Sequence, residues 1–112
     1  MKGPGKKGTV SAFFTFNYPE NFGLDWEGGN NWNEIDFEIV PSSQEGVVSL
    51  NIFSGMNTPF HEDQAYAEPK IDPGEAWAEY VIEWKPHSIE WFVDGKTVRR
   101  VESSPEHPSV AF

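Results

Sequence analysis

The feature that most constrains the fold is the alternation of strand-forming runs with turn residues. Nine prolines and ten glycines are spread along the 112 residues. No segment keeps a 3.6-residue apolar period for three turns, which argues against helices. Runs rich in β-branched and aromatic residues, ended by Gly, Pro or Asn, are typical of short strands. The predicted strands are Thr9–Phe16, Asn33–Val40, Val47–Phe53, Trp77–Trp84, Ile89–Val93 and Thr97–Val101. The pattern therefore predicts an all-β sandwich or barrel.

The segments between these runs complete the predicted organisation. Asp94-Gly95 is a dipeptide that favours a type I′ hairpin, so the last two strands should pair. Residues 17–32 and 55–76 are predicted as long loops, where ligands are often bound on a compact β scaffold. We expect residues 1–112 to form a single domain that lacks segments at both ends, because so few strands make only a small sandwich.

An incomplete sandwich has a consequence for its inner-face aromatic residues. Phe13, Phe37 and Trp84 should be exposed unless missing segments or a partner chain cover them. We therefore expect either a longer natural protein or pairing with another chain. The tryptophans Trp77, Trp84 and Trp91 should pack in or near the sandwich.

Composition argues against several function classes. The chain carries 18 Asp and Glu against 8 Lys and Arg, a net charge of −10. This charge would repel nucleic acid and anionic membrane surfaces, so neither is an expected partner. The sequence contains no run of about 18 apolar residues, so no membrane-spanning helix is predicted. The absence of cysteine excludes disulfides, cysteine zinc sites and thiol nucleophiles.

One segment, residues 32–40, concentrates the side chains that can carry chemistry. Because side chains alternate between the faces of a strand, Glu34, Asp36 and Glu38 should share one face, while the apolar residues between them face a core. Three acids on one face repel one another, which lowers stability. A purely structural strand would avoid this cost, so the arrangement is better explained if the charges have a function. The alternatives are a solvated acidic edge that prevents aggregation and a divalent-metal site with oxygen ligands.

Paired carboxylates indicate acid/base chemistry or glycosyl transfer. Retaining glycosidases place two carboxyl groups about 5–5.5 Å apart, one as nucleophile and one as acid/base. Glu34 and Glu38 have Cα atoms about 13 Å apart on an ideal strand, so their side chains must lean toward a shared point. Asp36 lies between them and can hydrogen-bond one glutamate, which favours different protonation states for the two.

Motifs along the chain carry a family resemblance. Trp-Asn-Glu-Ile-Asp-Phe-Glu at 32–38 resembles the catalytic strand of glycoside hydrolase family 16, the β-jelly-roll glucanases. Gly-Thr-Val-Ser-Ala-Phe-Phe-Thr-Phe at 8–16 and Val-Ser-Leu-Asn-Ile-Phe at 48–53 resemble the strands before and after it. Trp-Lys-Pro at 84–86 and Trp-Phe-Val-Asp-Gly at 91–95 resemble paired outer strands of the family. The resemblance covers nearly the whole chain and implies an antiparallel β-sandwich of jelly-roll type with a concave carbohydrate-binding cleft.

The resemblance implies a retaining endo-β-glucanase whose partner is a β-glucan polysaccharide. Glu34 matches the nucleophile, Glu38 the acid/base and Asp36 the assisting carboxylate. The positions that match substrate-binding cleft residues are Trp32, Asn51, Phe14, Phe16 and Phe53. One residue separates Asp36 from Glu38, a spacing similar to that of licheninases and xyloglucan-active members. Mixed-linkage β-1,3-1,4-glucan is therefore the favoured substrate, with β-1,3-glucan as a further candidate.

Other functions are open at this level. A xyloglucan transglycosylase or hydrolase would use the same residues, and a non-catalytic carbohydrate-binding sandwich would keep the aromatics without needing all three acids. No cofactor or metal is expected, since neither a zinc-ligand spacing nor a calcium-loop pattern occurs. Structural calcium is the alternative in an acidic β protein. A secreted or extracellular location is expected because polymeric glucan does not enter cells.

Overall fold

The described part of the chain consists of strands and turns. The computed structural model of the protein describes residues 1–3, 8–17, 33–40, 48–54, 61–67 and 73–102. Its strands are β1 Ser11–Asn17, β2 Asn33–Ile39, β3 Val48–Ser54, β4 His61–Ala67, β5 Tyr80–Lys85, β6 Ser88–Val93 and β7 Lys96–Glu102. The predicted strands are confirmed, with ends shifted by a few residues. Within these ranges no helix has the length and apolar character needed to cross a bilayer.

The strands form two antiparallel sheets. β1, β2, β3 and β4 lie side by side in a four-stranded sheet, and β5, β6 and β7 form a three-stranded sheet. Neighbouring strands are consecutive in sequence and antiparallel. β2 and β3 are therefore central, whereas β1, β4, β5 and β7 are the edges of the two described sheets.

The core lies between the two sheets. Phe37 and Leu50 from the four-stranded sheet and Ile89 and Trp91 from the three-stranded sheet are buried members of one apolar cluster. The central strands β2, β3 and β6 contribute alternate side chains to this cluster, as the period of two along a strand requires. The predicted antiparallel β-sandwich is confirmed.

The hairpin between β6 and β7 follows the sequence prediction. Asp94 and Gly95 both have positive φ angles, 47° and 71°, which a type I′ turn requires at its two central positions. Asp94 also fixes the start of β5, because its Oδ1 accepts a hydrogen bond of 2.8 Å from the backbone N–H of Glu79. One dipeptide therefore joins two strands and positions a third.

The prediction of a continuous loop over residues 55–76 is wrong, because β4 lies within it. β4 pairs with β3, with Ala65 opposite Leu50 and Tyr66 opposite Ser49. Its sequence, His-Glu-Asp-Gln-Ala-Tyr-Ala, contains no β-branched residue, so pairing with β3 rather than intrinsic propensity makes it a strand. Charged residues are common on such edge strands and obscure the pattern. The other predicted loop, beyond Asn17 at the end of β1, lies outside the described residues.

The aromatic residues expected to pack in the sandwich differ in burial. Trp91 is buried as predicted, whereas Trp84 on the edge strand β5 is 45% exposed. The prediction is wrong for Trp77, which is 78% exposed because it precedes β5 and escapes the alternation that the strand imposes. Phe37 is fully buried, with Phe13 stacked on its ring at 5.4 Å and Tyr80 edge-on at 5.1 Å. This confirms its predicted core-facing position, whereas the expectation that an incomplete sandwich would expose it is wrong.

Candidate active site

β2 places its acidic side chains on the face of the four-stranded sheet that points away from the core. Ile35 and Phe37 are buried in the core cluster, while Glu34 and Glu38 on the opposite face are half-buried. The predicted alternation along this strand is confirmed. We call this surface, defined by Glu34, Asp36 and Glu38 and their cross-strand neighbours, the acidic face.

The register of the sheet groups the predicted site residues in rows on the acidic face. The rows are Phe16, Glu34 and Phe53, and next to it Phe14, Asp36 and Asn51. Directly opposite residues of antiparallel strands share a face, with Cβ atoms about 4.5–5.5 Å apart. The structure therefore brings together all the predicted site residues except Trp32, which lies outside the described residues.

The centre of the acidic face is more closely packed than its ends. Asp36 is 4% exposed and Asn51, its cross-strand neighbour, is 3% exposed. The Oδ1 atom of Asn51 accepts a hydrogen bond of 2.9 Å from the backbone N–H of Ile52. This bond orients the amide, so its nitrogen is the group that can donate to the Asp36 carboxylate or to a ligand.

A further row of the acidic face contains residues that the sequence analysis missed. Ala12, Glu38, Ser49 and Tyr66 lie opposite one another across all four strands. Gln64, on the same face of β4, donates through Nε2 to the Ser49 hydroxyl over 3.1 Å. The signal that could have found Gln64 and Tyr66 is their alternation with Ala65 and Ala67, which is visible only once β4 is recognised as a strand.

Exposed aromatic rings flank the acids on both sides. Phe14 and Phe16 on β1 are 56% and 51% exposed and lie edge to face with centroids 6.4 Å apart. Tyr66 on β4 is 64% exposed. Apolar area left open in this way indicates a binding surface, and flat rings beside polar groups suit the alternately apolar and hydroxylated faces of a sugar.

The described positions of the acidic face carry negative charge through Glu34, Asp36 and Glu38. At the described positions of this surface, the cross-strand rows contain no Lys or Arg. In the described ranges, His, Asp and Glu side chains form no group of three that could hold a metal ion. The surface is suited to a neutral ligand and to proton transfer by carboxylates rather than to binding an anion.

Comparison with known proteins identifies the family. The sequence matches the family described as "Glycosyl hydrolases family 16" over residues 1–112. The chain belongs to glycosyl hydrolase family 16. Among its relatives, a β-glucanase of Brevibacillus brevis is 30% identical over 109 residues, which are 96% of this chain and 39% of that protein. A β-glucanase of Bacillus amyloliquefaciens is 32% identical over 86% of this chain and 36% of that protein.

Solved structures of the family share the fold. The Bacillus licheniformis β-glucanase superposes with a TM-score of 0.72 and 25% identity, covering 91% of this chain and 42% of that one. A β-1,3-1,4-glucanase (lichenase) from a mouse hindgut metagenome has a TM-score of 0.63 and 29% identity, over 90% of this chain and 41% of that one. These likenesses confirm the predicted fold class, an antiparallel β-sandwich of jelly-roll type. The chain spans about two fifths of the length of these family members.

Proposed function

We propose that the complete protein is a retaining endo-β-glucanase that prefers mixed-linkage β-1,3-1,4-glucan. The observation that carries the proposal is that Glu34, Asp36 and Glu38 lie along one face of the central strand β2. The relatives named β-glucanase support the substrate class. The one-residue spacing between Asp36 and Glu38 and the likeness to a lichenase support the mixed-linkage preference.

In this proposal Glu34 is the nucleophile and Glu38 the acid/base. A carboxylate oxygen of Glu34 bonds to the anomeric carbon, while the bond from that carbon to the glycosidic oxygen breaks. Glu38 gives its proton to the leaving oxygen. In the second step Glu38 takes a proton from water, the water oxygen bonds to the anomeric carbon, and Glu34 is released as carboxylate. Two inversions at one carbon retain its configuration.

Asp36 assists from between the two glutamates. Because it is nearly inaccessible to solvent, its interactions with neighbouring groups are weakly screened. Asn51 lies directly opposite and offers a donor nitrogen, which can hold the Asp36 carboxylate in one orientation. We assign Asp36 the role of orienting one glutamate and influencing its protonation.

The ligand-binding part of the proposal involves the aromatic residues. Phe14, Phe16, Phe53 and the sequence-predicted Trp32 are assigned to sugar stacking, and Asn51 to hydrogen bonding. A glucan carries no charge, so the net charge of −10 does not oppose its approach. Since a polymer of this kind does not enter cells, we propose that the protein acts outside the cell, without a cofactor.

Product analysis of the complete protein tests the function. Lichenan should yield reducing oligosaccharides of mixed sizes, faster than laminarin or xyloglucan, and proton NMR should detect the β anomer first. Release of the α anomer first would contradict the retaining assignment. Transfer to an added oligosaccharide in preference to water would indicate a transglycosylase, and binding without any cleavage would indicate a carbohydrate-binding module.

Substitution of the acids tests the assigned roles. Glu34→Gln and Glu38→Gln should each lower kcat on lichenan by about 100-fold or more, because each removes an ionisable group from the reaction. Glu79→Gln, at an exposed position beside β5, is the matched control and should keep full activity. Substantial turnover by either variant in a folded protein would contradict its assignment.

A further inference from the structure

We propose that Trp91 and Arg99, which belong to the three-stranded sheet, are positioning residues for the central row of the acidic face. The inference rests on the proposed function. The two residues are cross-strand neighbours on β6 and β7, and their side chains face the core rather than the acidic face. The Arg99 guanidinium carbon lies 5.1 Å from the centre of the Trp91 ring, so the side chains form a stacked pair.

Trp91 holds the backbone of β2 directly beneath the middle acid. Its Nε1–H donates a hydrogen bond of 2.9 Å to the backbone carbonyl of Asp36, and both groups are buried. An indole has a single donor, and here that donor is spent on the residue whose carboxylate faces the other side of the sheet. The bond links positions 55 residues apart in sequence.

Arg99 holds the next two strands in the same way. Its Nη1 donates to the backbone carbonyl of Leu50 over 2.7 Å and to that of Asp63 over 3.0 Å. Its Nη2 forms an ion pair of 2.6 Å with the Asp63 carboxylate, and the Arg99 side chain is only 12% exposed. Leu50 immediately precedes Asn51, and Asp63 immediately precedes Gln64.

These contacts converge beneath one row of the acidic face. Asp36, Asn51 and Gln64 are cross-strand neighbours on β2, β3 and β4, and each strand is held at that row from below by the stacked pair. The stacked pair thereby fixes the positions of the three strand backbones relative to one another at the row that contains Asp36, Asn51 and Gln64. A misplacement of about 1 Å in such a site can cost about 100-fold in rate.

The kinetic test uses Trp91→Phe in the complete protein, since Phe keeps a ring beneath Arg99 but lacks the N–H donor. We expect kcat on lichenan to fall about 10- to 100-fold while KM stays within about twofold, because Trp91 does not touch the substrate. Ile89→Val is the matched control. It trims a buried side chain on the same face of β6 and removes no hydrogen-bond donor, so it should keep kcat.

A second pair of variants tests Arg99. Arg99→Lys keeps the charge but loses the planar fork that reaches two carbonyls and a carboxylate, and it should lower kcat about tenfold. Arg100→Lys is its control. Arg100 is the next residue on β7, faces away from the core and pairs with Glu90 and Glu102, so this variant should be fully active.

Amide hydrogen exchange separates this inference from the proposed function. In Trp91→Phe the amides of β2 should exchange about fivefold faster, the effect of losing one buried hydrogen bond, whereas Ile89→Val at a similar melting temperature should not show this. Unchanged kcat in folded Trp91→Phe overturns the inference, as does an equal loss of kcat in Ile89→Val. If the wild-type protein cleaves no glucan, the proposed function fails, and unchanged exchange in β2 would then overturn the contact's role independently.

Discussion

At the residue scale, the burial of Asp36 distinguishes between interpretations of the acidic strand. A solvated edge that prevents aggregation would leave its acids exposed on an edge strand. β2 instead lies between β1 and β3, and Asp36 is the one charged residue among the buried residues of the described chain. Burying a carboxylate is costly unless neighbours hold it, so this position is better explained by a role than by solubility.

Asp36→Asn should separate the role of the carboxylate from its role in packing. Asn has a similar size, so the urea midpoint should shift little, whereas kcat on lichenan should fall about tenfold or more because the middle group no longer ionises. Glu83→Gln, on the three-stranded sheet away from the acidic face, is a control for the loss of one carboxylate. A folded Asp36→Asn protein with wild-type kcat would show that this carboxylate is not used.

Gly3 is a residue whose lack of a side chain the fold requires. A Cβ at this position would lie 2.6 Å from Cγ2 of Ile39, a core-facing residue at the end of β2. The backbone cannot move away freely, because the Gly3 N–H donates a hydrogen bond of 2.7 Å to the carbonyl of Pro73. Gly3→Ala should therefore lower the free energy of unfolding by about 1–3 kcal/mol.

Urea unfolding of the complete protein checks the Gly3 prediction. Lys2→Ala changes the adjacent exposed residue and should leave the midpoint unchanged. A Gly3→Ala protein as stable as the Lys2→Ala protein would mean that Ile39 moves aside without cost.

At the element scale, the predictability of each strand follows from what makes it a strand. β6 and β7 are encoded locally, because Asp94-Gly95 supplies both positive φ angles of the hairpin. β2 and β3 are recognised by the alternation of apolar and polar residues in their sequences. β4 has no such local signal in its sequence, because its pairing with β3 stabilises it as a strand. The sequence analysis therefore missed β4 and, with it, Tyr66 and Gln64.

The hairpin gives a prediction at this scale. Gly95→Ala places a Cβ on a residue with φ of 71° although nothing within 4 Å obstructs it, so the cost is conformational. The free energy of unfolding should fall by about 1–2 kcal/mol, with the change in urea midpoint as the measurement. Lys96→Ala, the next residue and exposed, should have almost no effect, and an equal loss in both variants would point to something other than the φ angle.

At the scale of the whole molecule, the candidate site is built by one sheet and supported by the other. The family motifs indicated the acids of β2 and the predicted neighbours on β1 and β3, but not Gln64 and Tyr66 of β4. Strand alternation was sufficient to put the acids on one side. The contacts of Trp91 and Arg99 with β2, β3 and β4 could not be predicted, because they join residues 36 to 55 positions apart and no local pattern encodes which side chains meet between sheets. The same is true of the exposure of Trp77, which depends on where β5 begins.

The acidic face extends across all four strands, which makes a prediction about substrate length. Phe14 on β1 and Tyr66 on β4 lie on opposite sides of the acids. In the proposed function, a glucan chain that crosses the sheet therefore contacts both rings. Phe14→Ala and Tyr66→Ala should each raise KM for lichenan about fivefold, as expected from losing about 40 Å² of apolar contact, with kcat nearly unchanged. For a short oligosaccharide that reaches only one side, one of the two substitutions should have no effect. Tyr66→Phe serves as the control that keeps the ring, and an unchanged KM in both alanine variants would mean that the polymer follows a different path over the sheet.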